Sequence, residues 1–252
     1  MILLKILNYK KSGKGKYIIS FDDGRKIPLY EDVILKYNLL LKKEVLDSEL
    51  DEINKMNFEY DVYYIALNSI SNRIKSIYEL KTYLIKRSYP DELIEKAIDK
   101  LIKQGYLDDR IYTKSYINTQ ILTTSHGPNR IKKDLVDKKI DLNIIEDELV
   151  VFTDEIQEEK INKFINKCIK TNRTRGGLVL KQKIINDLKN NGYDFGIISR
   201  VIVNYDFSND GDIAKKEYEK LYKKYSKKYE GYELKRIIRE KLFQKGLVYE
   251  EE

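Results

Sequence analysis

One cysteine, one histidine, three prolines and no tryptophan occur in a chain of 252 residues, and each scarcity closes off a class of function. A lone Cys168 cannot form an intrachain disulfide, which fits a reducing cytoplasm. With one His and one Cys, neither a histidine-rich zinc site nor a CxxC cage can be assembled, so no metal is expected. A nucleophilic pair of Cys168 with His126 would lack an orienting third group. The helical spacing of residues 161–169 instead makes Cys168 a small buried residue, and His126, ahead of Gly127-Pro128, an exposed loop residue. No GxxxxGK[ST] pattern is present, and Lys10 to Lys16, with Gly13 and Gly15, reads as a solvated basic turn. Adjacent carboxylates (Asp22-Asp23, Asp108-Asp109, Glu158-Glu159, and the tail Glu250-Glu251-Glu252) diverge by about 100° on a helix and rarely converge on one ion. Helix capping accounts for Asp108-Asp109 and solvation for the others. Arg175-Gly176-Gly177 is a single RGG unit where RNA-binding segments need many. The apolar start, Met1 to Leu7, is interrupted by Lys5 and too short for a signal-peptide core, and no window approaches the roughly 20 apolar residues of a membrane span. A soluble, non-enzymatic, cytoplasmic monomer without cofactor is the expectation.

What is present is charge and apolar periodicity. Charged residues make up 35% of the chain, with 48 Lys plus Arg against 41 Asp plus Glu and a net charge of +7. Such a surface favours anionic partners, because cations meeting a phosphate array release counterions. Lys, Asn, Ile and Tyr all have A/T-rich codons, however, so codon bias accounts equally well for part of the excess. Hydrophobic residues, at 42%, suffice for packed cores.

The first 30 residues read as a small β unit: strands over 2–7 and 17–21, with a hairpin at Asp22-Asp23-Gly24-Arg25. Two helical stretches follow, 31–39 and 47–57. From about residue 60 the pattern is helical and repeats. Leu80, Leu84, Tyr89 and Leu93 return as Ile131, Leu135, Ile140 and Ile144, again as Ile184, Leu188, Tyr193 and Ile197, and partly as Ile238, Leu242 and Leu247, offset by 51, 53 and 54 residues. Each copy holds about three helices. Punctuation agrees: Ser76–Glu79 forms a capping box, Pro90 and Gly127-Pro128 start helices, Gly105 and Gly192 mark turns, and Asp108 or Asp109 and Asp141 are caps. Leu142, Ile145 and Leu149 are spaced for one buried face. The expected fold is mainly α: tandem three-helix repeats in an elongated curved stack behind an N-terminal β unit. The boundaries fall at 1–58 (β unit with connecting helices), 59–107, 108–153, 154–207 and a partial repeat 208–252.

The informative charges lie on helices. Residues 158–189 hold nine basic side chains (Lys160, Lys163, Lys167, Lys170, Arg173, Arg175, Lys181, Lys183, Lys189) against three acidic ones, making the third repeat the main basic face. Lys215, Lys216, Lys220, Lys223, Lys224, Lys227 and Lys228 interleave with Tyr218, Tyr222, Tyr225 and Tyr229. Spacings of 4, 3 and 4 suit a buried stripe better than a base-stacking surface, leaving the lysines outside. Arg73 with Lys75, and Arg130 with Lys132 and Lys133, sit near the starts of equivalent second helices. Arg73, Lys75, Arg130, Lys132, Lys133, Arg173, Arg175, Lys181 and Lys183 are the candidate partner- or DNA-binding residues, chosen by charge and placement.

Three segments carry a family resemblance. Ile70-Ser71-Asn72-Arg73-Ile74-Lys75-Ser76 with Glu79-Leu80, then Gly105-Tyr106-Leu107-Asp108-Asp109 with Tyr112 and Tyr116, then Gly127-Pro128-Asn129-Arg130-Ile131 with Leu135 and Lys139-Ile140, resemble the RecX regulatory proteins in order and spacing. Lys75 replaces an arginine, Tyr112-Thr113 a Phe-Ala pair, and the glycine usual before Ile140 is missing. The resemblance covers about residues 65–150. It implies a cytoplasmic regulator of recombination and DNA repair that lodges in the groove of the RecA filament on single-stranded DNA, binding RecA, limiting strand exchange and in some members contacting DNA, double-stranded included. It brings no catalytic residue and no proven contact residue. The alternatives are a sequence-neutral DNA-binding module acting without RecA and a scaffold for an acidic protein.

Overall fold

The computed structural model describes residues 3–13, 15–208 and 210–249; Met1 and Ile2 of the expected first strand, Lys14 of the basic turn and the tail Glu250–Glu252 lie outside the described residues. The chain divides into two compact units, Met1–Tyr112 and Thr113–Glu252.

In the first unit, β1 (Leu3–Gly13), β2 (Lys16–Phe21), β3 (Lys26–Tyr30) and β4 (Glu44–Leu46) form an antiparallel sheet in the order β3-β2-β1-β4. Alternation drives it: Leu4, Ile6, Ile19 and Phe21 point inward while Leu3, Lys5 and Leu7 face outward. The expected β2–β3 hairpin forms at Gly24, whose N–H donates to the Phe21 carbonyl (3.1 Å). The expected basic turn over 10–16 is mostly strand. Lys10, Lys11 and Gly13 pair with Ile18, Tyr17 and Lys16, and this ladder holds although the three β1 residues are exposed. β4 is three residues long, too short to leave a pattern.

The helical stretch expected over 31–39 is two short helices, α1 (Glu31–Lys36) and α2 (Leu39–Lys42), separated by Asn38 in left-handed conformation. The stretch expected to stop at Asn57 continues as α3 (Asp47–Asn72), so the expected boundary at 58 falls inside a helix. The physical reason is that α3 serves two cores. Leu50 and Ile53 join the sheet's apolar cluster, whereas Val62, Tyr63 and Ala66 join the next one with Leu80, Leu84, Ile94 and Leu101. That second cluster is closed by α4 (Ile77–Ile85) and α5 (Asp91–Lys103).

Three-helix order then repeats: α6 (Asp109–Thr123), α7 (Pro128–Asp137) and α8 (Leu142–Leu149); α9 (Asp154–Thr171), α10 (Gly177–Asn190) and α11 (Phe195–Ile202); and finally α12 (Gly211–Tyr225) with α13 (Gly231–Phe243). The division between units falls within α6. The repeated apolar set is buried or half-buried in every copy. Each copy also turns through a residue with positive φ after its second helix or, in the last copy, after α13: Ser88, Lys139, Gly192 and Gly246. These are again 51, 53 and 54 residues apart.

Within the second unit one joint recurs. The residue that opens a second helix docks on the left-handed turn one copy further along. Gly127 N–H donates to the Asn191 carbonyl (2.7 Å) and Asn129 N–H to the Gly192 carbonyl (3.1 Å); one module later, Gly176 N–H donates to the Lys245 carbonyl (2.7 Å). A Cβ on Gly192 would stand 2.3 Å from the Arg130 amide nitrogen, and one on Gly176 would stand 2.0 Å from the Gly246 carbonyl oxygen. Backbone meets backbone at both joints, leaving no room for a side chain.

Several expected placements differ. Leu142 is exposed, and the inward face of α8 is carried by Ile145 with Ile144 and Leu149 half-buried beside it. Cys168 is half-buried, and burial pushes its thiol pKa up. His126 is half-buried rather than exposed, with Nδ1 3.1 Å from Gln120 Oε1. Of the tyrosine stripe, Tyr218, Tyr225 and Tyr229 pack on the C-terminal core and Tyr222 lies outside it, stacked on Tyr218 at 6.1 Å; the interleaved lysines face solvent as expected.

Glu217 is buried in that C-terminal module. Burial disfavours its charge, but Lys245 and Lys220 override this and hold its carboxyl below the usual range. A depressed folded pKa stabilises the module above the unfolded value, about 4.3, and that stability fades as pH falls through the folded value. Thermal melts between pH 7 and pH 3 are therefore expected to show an acid-side loss that Glu217→Gln flattens.

Candidate partner-binding surface

The first two of the segments that resemble a known family meet in a polar cluster built around the start of α4. Ser76 is fully buried and its Oγ accepts from Glu79 N–H (3.1 Å), while Glu79 Oε2 accepts from Ser76 N–H (3.4 Å), which completes the capping box. The other Glu79 oxygen takes Tyr112 Oη–H (3.3 Å) and the Arg73 guanidinium (3.5 Å). Asp108 caps its own helix, α6, accepting from Arg110 N–H at 2.7 Å. Asp109 reaches across to accept from Ile77 N–H (2.9 Å) at the head of α4, and burial raises its pKa. These residues hold two helix starts together.

The nine candidate cations fall into three groups. Arg73, 70% exposed, is tethered to Glu79, and Lys75 lies 5.6 Å over the Tyr83 ring. Both line a cavity of about 280 Å³ with Tyr78 and Lys86. On α7, Arg130 pairs with Asp134 (3.3 Å) and Lys132 with Glu146 (2.7 Å), whereas Lys133 is exposed with no ion pair among the described residues. Around the entry to α10, the Arg173 guanidinium donates to the carbonyls of Lys170 and Asn172 (both 2.8 Å), stopping the C-terminus of α9. Lys183 pairs with Asp187, Lys181 lies 5.9 Å over Phe207, and Arg175 is exposed without an acidic partner among the described residues.

The third repeat is thus less cationic in effect than its composition. Lys160 donates to the carbonyls of Ile121 and Thr124 at the end of α6, where burial lowers its pKa, and Lys163 pairs with Glu159. Arg173 also borders a cavity lined by Asp206, Asp210 and Asp212. Among the described residues the candidates without an ion pair to a carboxylate are Lys75, Lys133, Arg173, Arg175 and Lys181, and of these Arg173 is spent on backbone carbonyls.

Sequence reasoning missed Lys86 and Arg87 at the end of α4. The Arg87 guanidinium lies 4.7 Å over the Tyr83 ring, without an ion pair among the described residues. The spacing of four between Tyr83 and Arg87 was the available signal.

Serial three-helix modules, with polar side chains capping the helix starts and cations at the surface, define a protein of the helical-repeat class. Family models for the first and second three-helix domains of RecX match residues 63–101 and 108–149. The chain is 31% identical to regulatory protein RecX of Streptococcus gordonii over 98% of its own length and 96% of that protein's, and 34% identical to the Lactococcus lactis protein of the same name over 92% and 88%. A crystal structure of regulatory protein RecX superposes with a TM-score of 0.68 at 27% identity, covering 79% of this chain and 98% of that one. The chain belongs to the RecX family of regulatory proteins.

Proposed function

We propose that the protein binds the RecA filament on single-stranded DNA and restrains recombinase activity, acting as a monomer in the cytoplasm and without catalysis or cofactor. The observation that carries this reading is recurrence: in the second unit, modules joined by one repeated backbone contact place Lys133, and Arg175 with Lys181, near the starts of their second helices. Cations recurring at module spacing suit a polymer whose charges also repeat. Membership of the RecX family supports choosing the recombinase as the partner, since that is what the family resemblance implies.

The test is RecA-dependent ATP hydrolysis and DNA strand exchange with substoichiometric protein added. Both are expected to fall; no effect at any ratio overturns the reading. Binding to naked duplex that weakens steeply with salt, with RecA activity untouched, would instead indicate a DNA-binding module independent of RecA.

A further inference from the structure

Two cavities in the first unit border α4, one along its length and one at its C-terminal end, and Tyr83 lines both. The smaller contains Arg73, Lys75, Tyr78 and Lys86; the larger, about 930 Å³, lies between the β1–β2 hairpin, α3 and the end of α4 and contains Lys16, Arg87 and Tyr106. Five cations line the pair. Among the described residues the one carboxylate lining either is Glu79, which is already bound by Ser76, Arg73 and Tyr112. Lys16 is held by Asp61 at 2.9 Å, which leaves Lys75, Lys86 and Arg87 uncompensated.

Two of the rings are open, and the third, Tyr83, packs on the helical core and anchors two of the cations. Tyr106 is 60% exposed and Tyr78 42%, and Tyr83 is half-buried between Lys75 and Arg87. Asn68 and Ser71, both exposed, add amide and hydroxyl groups to the larger cavity. We propose that a single strand of nucleic acid crosses the first unit along α4, its phosphates on Lys75, Lys86 and Arg87, two of them held over Tyr83, and its bases against Tyr78 and Tyr106. Cations interleaved with open aromatic faces are what such a strand requires. A duplex keeps its base faces stacked inside and could use only the charges. An acidic peptide would likewise leave the rings without a role. The inference deepens the filament reading, on which it rests for its setting, by giving the DNA contact to this unit rather than to the third repeat.

The test is fluorescence anisotropy of a labelled oligothymidylate with the full-length chain, without RecA, over a salt series. The triple variant Lys75→Ala, Lys86→Ala, Arg87→Ala removes three phosphate contacts. The slope of log affinity against log salt is expected to shrink by about 2, at about 0.7 per contact on single strands. Tyr106→Ala is expected to weaken binding about tenfold at unchanged slope, and Tyr106→Phe to keep it, because stacking and not the hydroxyl is at stake. All these side chains are exposed or half-exposed, so unchanged helicity and melting check that folding is intact. Wild-type affinity and slope in the triple variant overturn the proposal, as does an oligonucleotide that fails to bind where polyglutamate binds. Intact RecA inhibition beside either result would sink this inference and leave the filament reading standing; variant-sensitive oligonucleotide binding without any RecA effect would do the reverse.

Discussion

Gly192→Ala is expected to destabilise the second unit by roughly 3 kcal/mol, which at this size lowers its melting temperature by about 10 °C. Two costs combine. Gly192 has φ +90°, where a Cβ is strained by about 1 kcal/mol or more. The added methyl would also stand 2.3 Å from the Arg130 amide nitrogen and 2.7 Å from Arg130 Cβ, so the start of α7 must shift and the hydrogen bonds at Gly127 and Asn129 with it. Gly105→Ala separates the two costs, because Gly105 has φ +73° with nothing near a Cβ; it is expected to cost only about 1 kcal/mol. Equal melting losses in the two variants, followed by calorimetry or circular dichroism, would show that the joint contributes nothing beyond the turn.

The charge-reversal triple Lys133→Glu, Arg175→Glu, Lys181→Glu is expected to raise the protein concentration that halves RecA-dependent ATP hydrolysis roughly a hundredfold. These three cations have no acidic partner among the described residues, so their field reaches a partner at full strength. Arg130, Lys132 and Lys183 are the comparison, since Asp134, Glu146 and Asp187 already offset them. Changing that second set to glutamine is expected to cost only a few-fold. Equal effects of the two sets would mean that local compensation does not decide which cations meet the filament.

The repeat was legible because it is written on helix faces. Leu80, Ile131, Ile184 and Ile238 recur at the module period and are all buried. The turn that recurs with them was half visible. Gly192 and Gly246 carry positive φ as glycines should, but Ser88 and Lys139 do so without the residue that signals it. The run of α3 across two cores was hidden, since no glycine or proline interrupts residues 47–72 and apolar positions continue past 58. The candidate surface was legible as charge but not as available charge. Lys132 meets Glu146 fourteen residues away and Lys160 meets Ile121 thirty-nine away, pairings that only the packing of helices creates. The polar cluster at α4 shows the same limit from the other side: Asp109 was readable as a cap, yet the helix it caps lies thirty-two residues back.

Electron microscopy of RecA filaments on single-stranded DNA, with and without saturating protein, tests the filament reading most directly. Continuous added density following the filament groove, lost with the charge-reversal triple, is the expected image. Filaments that stay bare at saturation would contradict it.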